Sequence, residues 1–279
     1  MKRSFGILML SAAVVFSGCE LLQKKEDDQS SNEQPKDGGQ QGGGAPAMDL
    51  TKMVQAPPMI MVGEGAAVGM KIGVKSGANT HALAIVGEDG DQWLVETDQN
   101  LAAYGDSAKD QVMGMWVDKK TGKVNKAVLG KKGEAGKEIK VVQYQMPEQK
   151  DGPQGEDTEV KLKMGGPYPA KLITMEIANV GTTKSWTGTE GELENVMLKS
   201  ESPSGSYELK SMPKTETVDC GGTSIETTQL VYDNGLEMHR TENDVIKALN
   251  GGSYKTKTSG SETVVTMVAT DAKPELKWE

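Results

Sequence analysis

Two cysteines and two histidines carry much of the side-chain chemistry that this chain of 279 residues could perform. Cys19 follows Ser17 and Gly18, Cys220 precedes Gly221 and Gly222, and His81 and His239 each sit in a strand-like run. A reactive thiolate at Cys220 needs a cation or a helix N-terminus beside it to lower its pKa. The sequence supplies neither, so Cys220 reads as a small buried hydrophobe. A zinc centre wants several His or Cys ligands at short spacing, and the two histidines are far apart in sequence. A Ser-His-Asp arrangement stays open, although no Gly-x-Ser-x-Gly elbow is present. Residues 130–137 (GKKGEAGK) imitate a phosphate loop but miss its spacing, and Glu138 stands where Ser or Thr would hold magnesium. Glu88, Asp89 and Asp91 lack the rest of a calcium loop and read as a hairpin turn. The sequence therefore assigns no catalytic, cofactor-binding or metal-ligating residue, and no cofactor is expected.

Cys19 has a different context. Lys2 and Arg3 precede an apolar run over residues 6–16, then the small residues Ser17 and Gly18. A short basic segment, an apolar segment too short to span a bilayer and small residues before a cut make a secretory signal. Phe16-Ser17-Gly18-Cys19 resembles the lipobox of bacterial lipoproteins, which are lipidated on that cysteine and cut just before it. Phe at the first position departs from the usual Leu. The resemblance implies residues 1–18 as signal peptide, Cys19 as the lipidation site (palmitate among its acyl chains) and a membrane as partner. In a diderm bacterium, Glu20 after the cysteine implies the outer membrane, facing the periplasm or the cell surface.

Residues 20–46 are rich in Gln, Lys, Asp, Ser and Gly and carry almost no apolar side chain after Leu21 and Leu22. Such a segment cannot bury enough surface to offset its ordering entropy. A disordered tether over 19–58 is expected, of which residues 20–46 span on the order of 30 Å. The whole-chain charge is −9, and loss of Lys2 and Arg3 with the signal leaves −11. That balance argues against nucleic acid and against a polybasic grip on anionic lipid. Both Phe residues lie in the signal, so the mature chain has none. Once Cys19 is lipidated, Cys220 has no intramolecular partner.

The elements that position these residues read as short strands. Residues 69–74, 81–86 and 92–97 are β-branched or aromatic runs, and Asp89-Gly90 between the last two is a hairpin signal. Residues 112–117 and 124–129 form a second pair, and 138–145 a further strand. Only 100–110 and 241–249 have helical character. Residues 146–158, with two Pro and two Gly among charges, mark a linker between a half over 59–146 and a half over 158–279. The second half reads as an internal duplication, about 159–212 and 215–271. Gly165-Gly166 matches Gly221-Gly222, and the Ser-Gly-Ser hairpins around Gly205 and Gly260 match each other, both glycines with positive φ. Trp93 and Trp116 are expected to be mostly buried.

The expected fold is mainly β: antiparallel sheets in a curved sheet, half-barrel or sandwich, with one or two short helices after the disordered tether. This pattern resembles uncharacterised envelope lipoproteins of diderm bacteria. More distantly it resembles half-barrel lipoprotein carriers of the LolA type, whose curved sheet holds acyl chains. The resemblance supplies no catalytic residue. The expected function is that of a membrane-anchored, non-enzymatic envelope lipoprotein whose lipid or protein partner the sequence does not name. Two alternatives are carried. One is a periplasmic carrier of a lipid or acylated protein, motivated by Met59, Met61, Met70, Met113, Met115, Met164 and Met175 in apolar or strand-like stretches. The other is an envelope hydrolase using His81 or His239.

Overall fold

The computed structural model describes residues 49–143, 155–177 and 181–278. Cys19, the expected signal, the tether up to residue 48, most of the expected linker (146–154) and the turn at 179–180 lie outside them. The described chain is mainly β. After a 3-10 turn at Leu50–Lys52 come β1 (Gln55–Ala56), β2 (Lys71–Ser76), β3 (Asn79–Asp89) and β4 (Gln92–Thr97). A 3-10 segment at Leu101–Ala108 precedes β5 (Gln111–Asp118), β6 (Val124–Lys131), β7 (Lys137–Glu138) and β8 (Lys140–Val141). The next group is β9 (Gly155–Leu162), β10 (Gly165–Ile177), β11 (Gly181–Gly188), a 3-10 turn at Gly191–Leu193, β12 (Met197–Ser202) and β13 (Gly205–Glu208). The last is β14 (Lys214–Cys220), β15 (Thr223–Val231), β16 (Glu237–Arg240), helix α1 (Asp244–Asn250), β17 (Ser253–Lys257) and β18 (Glu262–Ala269).

Local chemistry explains the punctuation. The β3–β4 hairpin turns at Gly90, whose φ of 55° suits a residue without Cβ. Helix α1 starts because the Asn243 side chain accepts hydrogen bonds from the Val245 and Ile246 amides at 3.1 and 3.2 Å. It stops at Gly251, left-handed at φ 59°. The expected strand over 138–145 is broken into β7 and β8, which pair with β6 and β1 in different sheets.

The strands form an eleven-stranded sheet in the order β14-β15-β16-β17-β18-β2-β3-β4-β5-β6-β7, a five-stranded sheet β13-β12-β11-β10-β9, and the pair β1-β8. Strands from both expected halves thus share the large sheet, joined where β18 pairs with β2 (Val265 opposite Val74). The chain from Asp49 onward forms one compact unit. Leu50, Val54 and Ala56 lie within the segment read as tether, yet they are buried in the main core beside Ile85, Val95 and Met115. Apolar content at these three positions is enough to dock the segment, so residues 49–58 belong to the fold, ahead of the expected start at Met59. Likewise, residues 155–158 of the expected linker are part of β9.

One plan recurs three times: three antiparallel strands, a short helical segment, two more strands. It runs over β2–β6, β9–β13 and β14–β18. The last two copies also share a bulge at the same place, just before the helical segment. The register shifts between Trp186 and Thr187 in one and between His239 and Arg240 in the other. The glycine pairs correspond less closely. Gly221-Gly222 forms the loop between β14 and β15, whereas Gly165-Gly166 opens β10 after the loop. All four have positive φ, as does Gly205, but Gly260 does not. The β17–β18 loop of residues 258–261 is long enough to turn without a left-handed residue there.

The main core lines the large sheet, with α1 contributing Val245, Ile246, Ala248 and Leu249. A second core joins the small sheet to β15 through Leu198, Leu209, Leu230 and Tyr232. There the Tyr232 hydroxyl donates to the Met197 carbonyl at 3.0 Å. Of the methionines singled out by sequence, Met70, Met113 and Met115 are buried core residues and Met61 is exposed. Trp93 and Trp116 are half-buried rather than mostly buried. Each turns one ring face outward under a lysine, Lys119 over Trp93 and Lys126 over Trp116, both at 4.5 Å from the ring centroid.

Candidate functional site

His239 is the most chemically loaded side chain among the described residues. It sits on β16, and its side chain is 6% exposed. Nε2 lies 2.8 Å from Glu237 Oε1 on the same strand. The Gln229 amide of β15 donates to that same oxygen at 3.1 Å. The hydrogen bond from His239, then that from Gln229, holds the Glu237 carboxyl below its ordinary pKa. Nδ1 lies 3.0 Å from Glu216 Oε1 on β14, but off the direction of a formed hydrogen bond, so this buried atom has no partner of good geometry. Both ring nitrogens therefore face carboxylates. Neither is directed at a hydroxyl that it could activate, which is what a hydrolytic base requires.

The remaining candidates are dispersed. His81 is half-buried on β3, and burial lowers its pKa more than nearby Asp98 raises it. Cys220 is buried in the main core. Its thiol contacts the Val265 carbonyl at 3.6 Å. Burial, then the charge of Asp219, pushes the thiol up, opposite to the shift a nucleophile needs. Residues 130–137 are the end of β6, a turn and β7. Lys132 there pairs with Glu275 at 2.7 Å. Glu88 pairs with Lys119 at 2.7 Å beside the β3–β4 turn. Among the described residues no group of three His, Cys, Asp or Glu has metal-holding geometry, and no helix is long and apolar enough to cross a membrane.

A cavity of about 320 Å³ opens over β15 and the β16–α1 connection. Glu226, Thr228, Arg240, Glu242 and Asn243 line it, with Ile225 as its apolar member. That lining suits a polar ligand and gives an acyl chain little to bury against.

Sequence reasoning missed Glu96, a fully enclosed carboxylate on β4. It accepts hydrogen bonds from the Glu275 amide at 2.8 Å, the Leu276 amide at 2.9 Å and the Trp278 indole at 2.8 Å. Three donors satisfy a charge that could not otherwise be buried. The one legible signal was an acidic residue inside an apolar strand, Leu94-Val95-Glu96. Glu216, Gln229 and Glu237 were missed because cross-strand register, not spacing, brings them to His239.

No protein-family model, curated protein sequence or solved structure matches this chain.

Proposed function

We propose that this chain is a membrane-anchored, non-enzymatic lipoprotein of the cell envelope, held by lipid on Cys19. The observation that carries the reading is the order of Lys2-Arg3, the apolar run, Ser17-Gly18 and Cys19. A diacyl group plus an acylated amine supplies two or more apolar anchors, enough for stable membrane residence. With residues 49–58 part of the described fold, this reading takes residues 20–48 as the tether. In this reading Glu20 directs the protein to the outer membrane. The acidic body, repelled by anionic headgroups, is held off the surface by its tether. Replacing Cys19 by Ser tests the reading: the variant should stay an unprocessed precursor. Processing and fractionation like the wild type would remove Cys19 as the attachment point.

A second reading, a carrier of a lipid or acylated protein, draws on the methionines of the main core, Met70, Met113 and Met115. It requires the core residues to part around an acyl chain. Lipid extraction of the purified protein separates the two: stoichiometric acyl chains beyond the covalent anchor favour the carrier.

A further inference from the structure

We propose that the cleft beside β15 binds a short peptide carrying both a free amine and a free carboxylate. The cleft is a gap in the large sheet. On one side β15 pairs with β14 from Thr223 to Gln229. On the other, its pairing with β16 ends at Thr228, opposite Arg240. There the chain leaves the sheet through a bulge and turns into α1. The Thr241 hydroxyl, donating to the Glu226 carbonyl at 2.7 Å, holds the departing chain. Among the described residues, no strand pairs with residues 224–227 on that side. The cavity of about 320 Å³ opens there.

Backbone alternation decides what the gap offers. Cys220 and Thr223 close a two-residue turn, Gly221-Gly222, with both glycines at positive φ, so they exchange hydrogen bonds with each other. Thr223, Ile225 and Thr227 then point their N–H and C=O at β14. Ser224 and Glu226 point theirs the other way, into the gap, and the Thr241 bond to the Glu226 carbonyl agrees with this parity. The Glu226 N–H and both backbone groups of Ser224 are left for an added extended chain, as in peptide recognition by strand addition.

The side chains set the ends. Glu226 and Arg240 line the cleft and share one face of the sheet, diagonally across the two strands. They carry opposite charges, yet among the described residues neither has an ion-pair partner. Arg240 gives one N–H to the Asn195 carbonyl at 3.1 Å, which leaves the rest of its guanidinium to give. On β14, Glu226 faces the uncharged Thr217. Glu242, the other acid of the cleft, is taken by Lys247. The guanidinium thus suits a carboxylate and Glu226 an ammonium. Their offset of two strand residues is about 7 Å, the length of a dipeptide. Ile225, the apolar member of the lining, favours small apolar side chains.

Saturation-transfer NMR on the full chain with L-alanyl-L-alanine tests this. The controls are N-acetyl-L-alanyl-L-alanine amide, which lacks both charges, and L-alanine, which is too short. The dipeptide should bind, and each control about tenfold more weakly or not at all. Glu226→Gln and Arg240→Gln should each weaken dipeptide binding about tenfold or more, the weight of a hydrogen bond to a charged group. Both side chains are exposed, and that of Glu226 makes no hydrogen bond or ion pair among the described residues, so the first variant keeps the fold. Absence of dipeptide binding by the wild type, equal binding of either control, or unchanged binding by Glu226→Gln would overturn the site.

Discussion

Trp278 and Glu96 are joined by a 2.8 Å hydrogen bond from the indole N–H to the carboxylate. They lie 182 residues apart in sequence and together fix the last described residues on the outer face of the first five-strand module. Leu276 and Trp278 cover Val112, Val128 and Trp116, and the two indoles meet edge to face at 4.7 Å. Gly114 permits this, since a Cβ there would lie 2.9 Å from both Leu276 and Trp278. The C-terminal strap closes a face that would otherwise expose tryptophan and valine.

Replacing Glu96 by Ala removes the acceptor of three donors, two of them backbone amides. The expected loss is about 3 kcal/mol of unfolding free energy. Proteolysis of the strap should precede that of the body. Equal denaturation midpoints for variant and wild type would show that the carboxylate is not needed there.

Trp93 and Trp116 are half-buried, so each Trp→Ala change should cost about 1–2 kcal/mol rather than the about 3–5 kcal/mol of a fully enclosed ring. Urea denaturation of the two variants measures this directly. Native fluorescence should show partial accessibility to a neutral quencher.

Much of this was legible in sequence because it is local. The Asp89-Gly90 turn, the β5–β6 pair and the Asn243-capped helix all rest on residues within a few positions of each other. The mainly antiparallel β class follows from them. What was not legible depends on long-range pairing. Nothing near Leu50 says that the segment docks in the core, and nothing near Glu96 says that Trp278 will reach it. The duplication reads from turn residues, which the structure keeps only loosely; the bulge is shared by those two copies, and strand order alone extends the plan to a third. That copy was hidden because its turns, Gly77 and Gly90, fall in different local sequences.

Glycine tests that plan. Gly221 has φ 62°, and a Cβ there would come within 2.9 Å of the Thr266 carbonyl; Gly260 has neither restriction. Gly221→Ala should destabilise by about 1–3 kcal/mol, whereas Gly260→Ala should be neutral or stabilise by up to about 1 kcal/mol. Similar effects at both positions would contradict the assigned turns.

Cys220 should resist thiol reagents in the native protein and react on unfolding, at a rate that tracks global opening. Its folded pKa is raised, so the thiol stays protonated at a pH where the unfolded chain ionises. Stability should therefore decline as pH rises from the ordinary thiol range toward the higher folded value. Rapid labelling of the folded protein at neutral pH would place the thiol outside the core.

The chemistry of Cys19 decides whether the protein is lipid-anchored. Intact-mass and peptide mass spectrometry of protein extracted from bacterial membranes measures it. The predicted N-terminal peptide begins at Cys19 and carries a diacylglyceryl thioether with an acylated α-amine. A peptide running unbroken through Gly18-Cys19, or an unmodified Cys19, would contradict the lipid anchor.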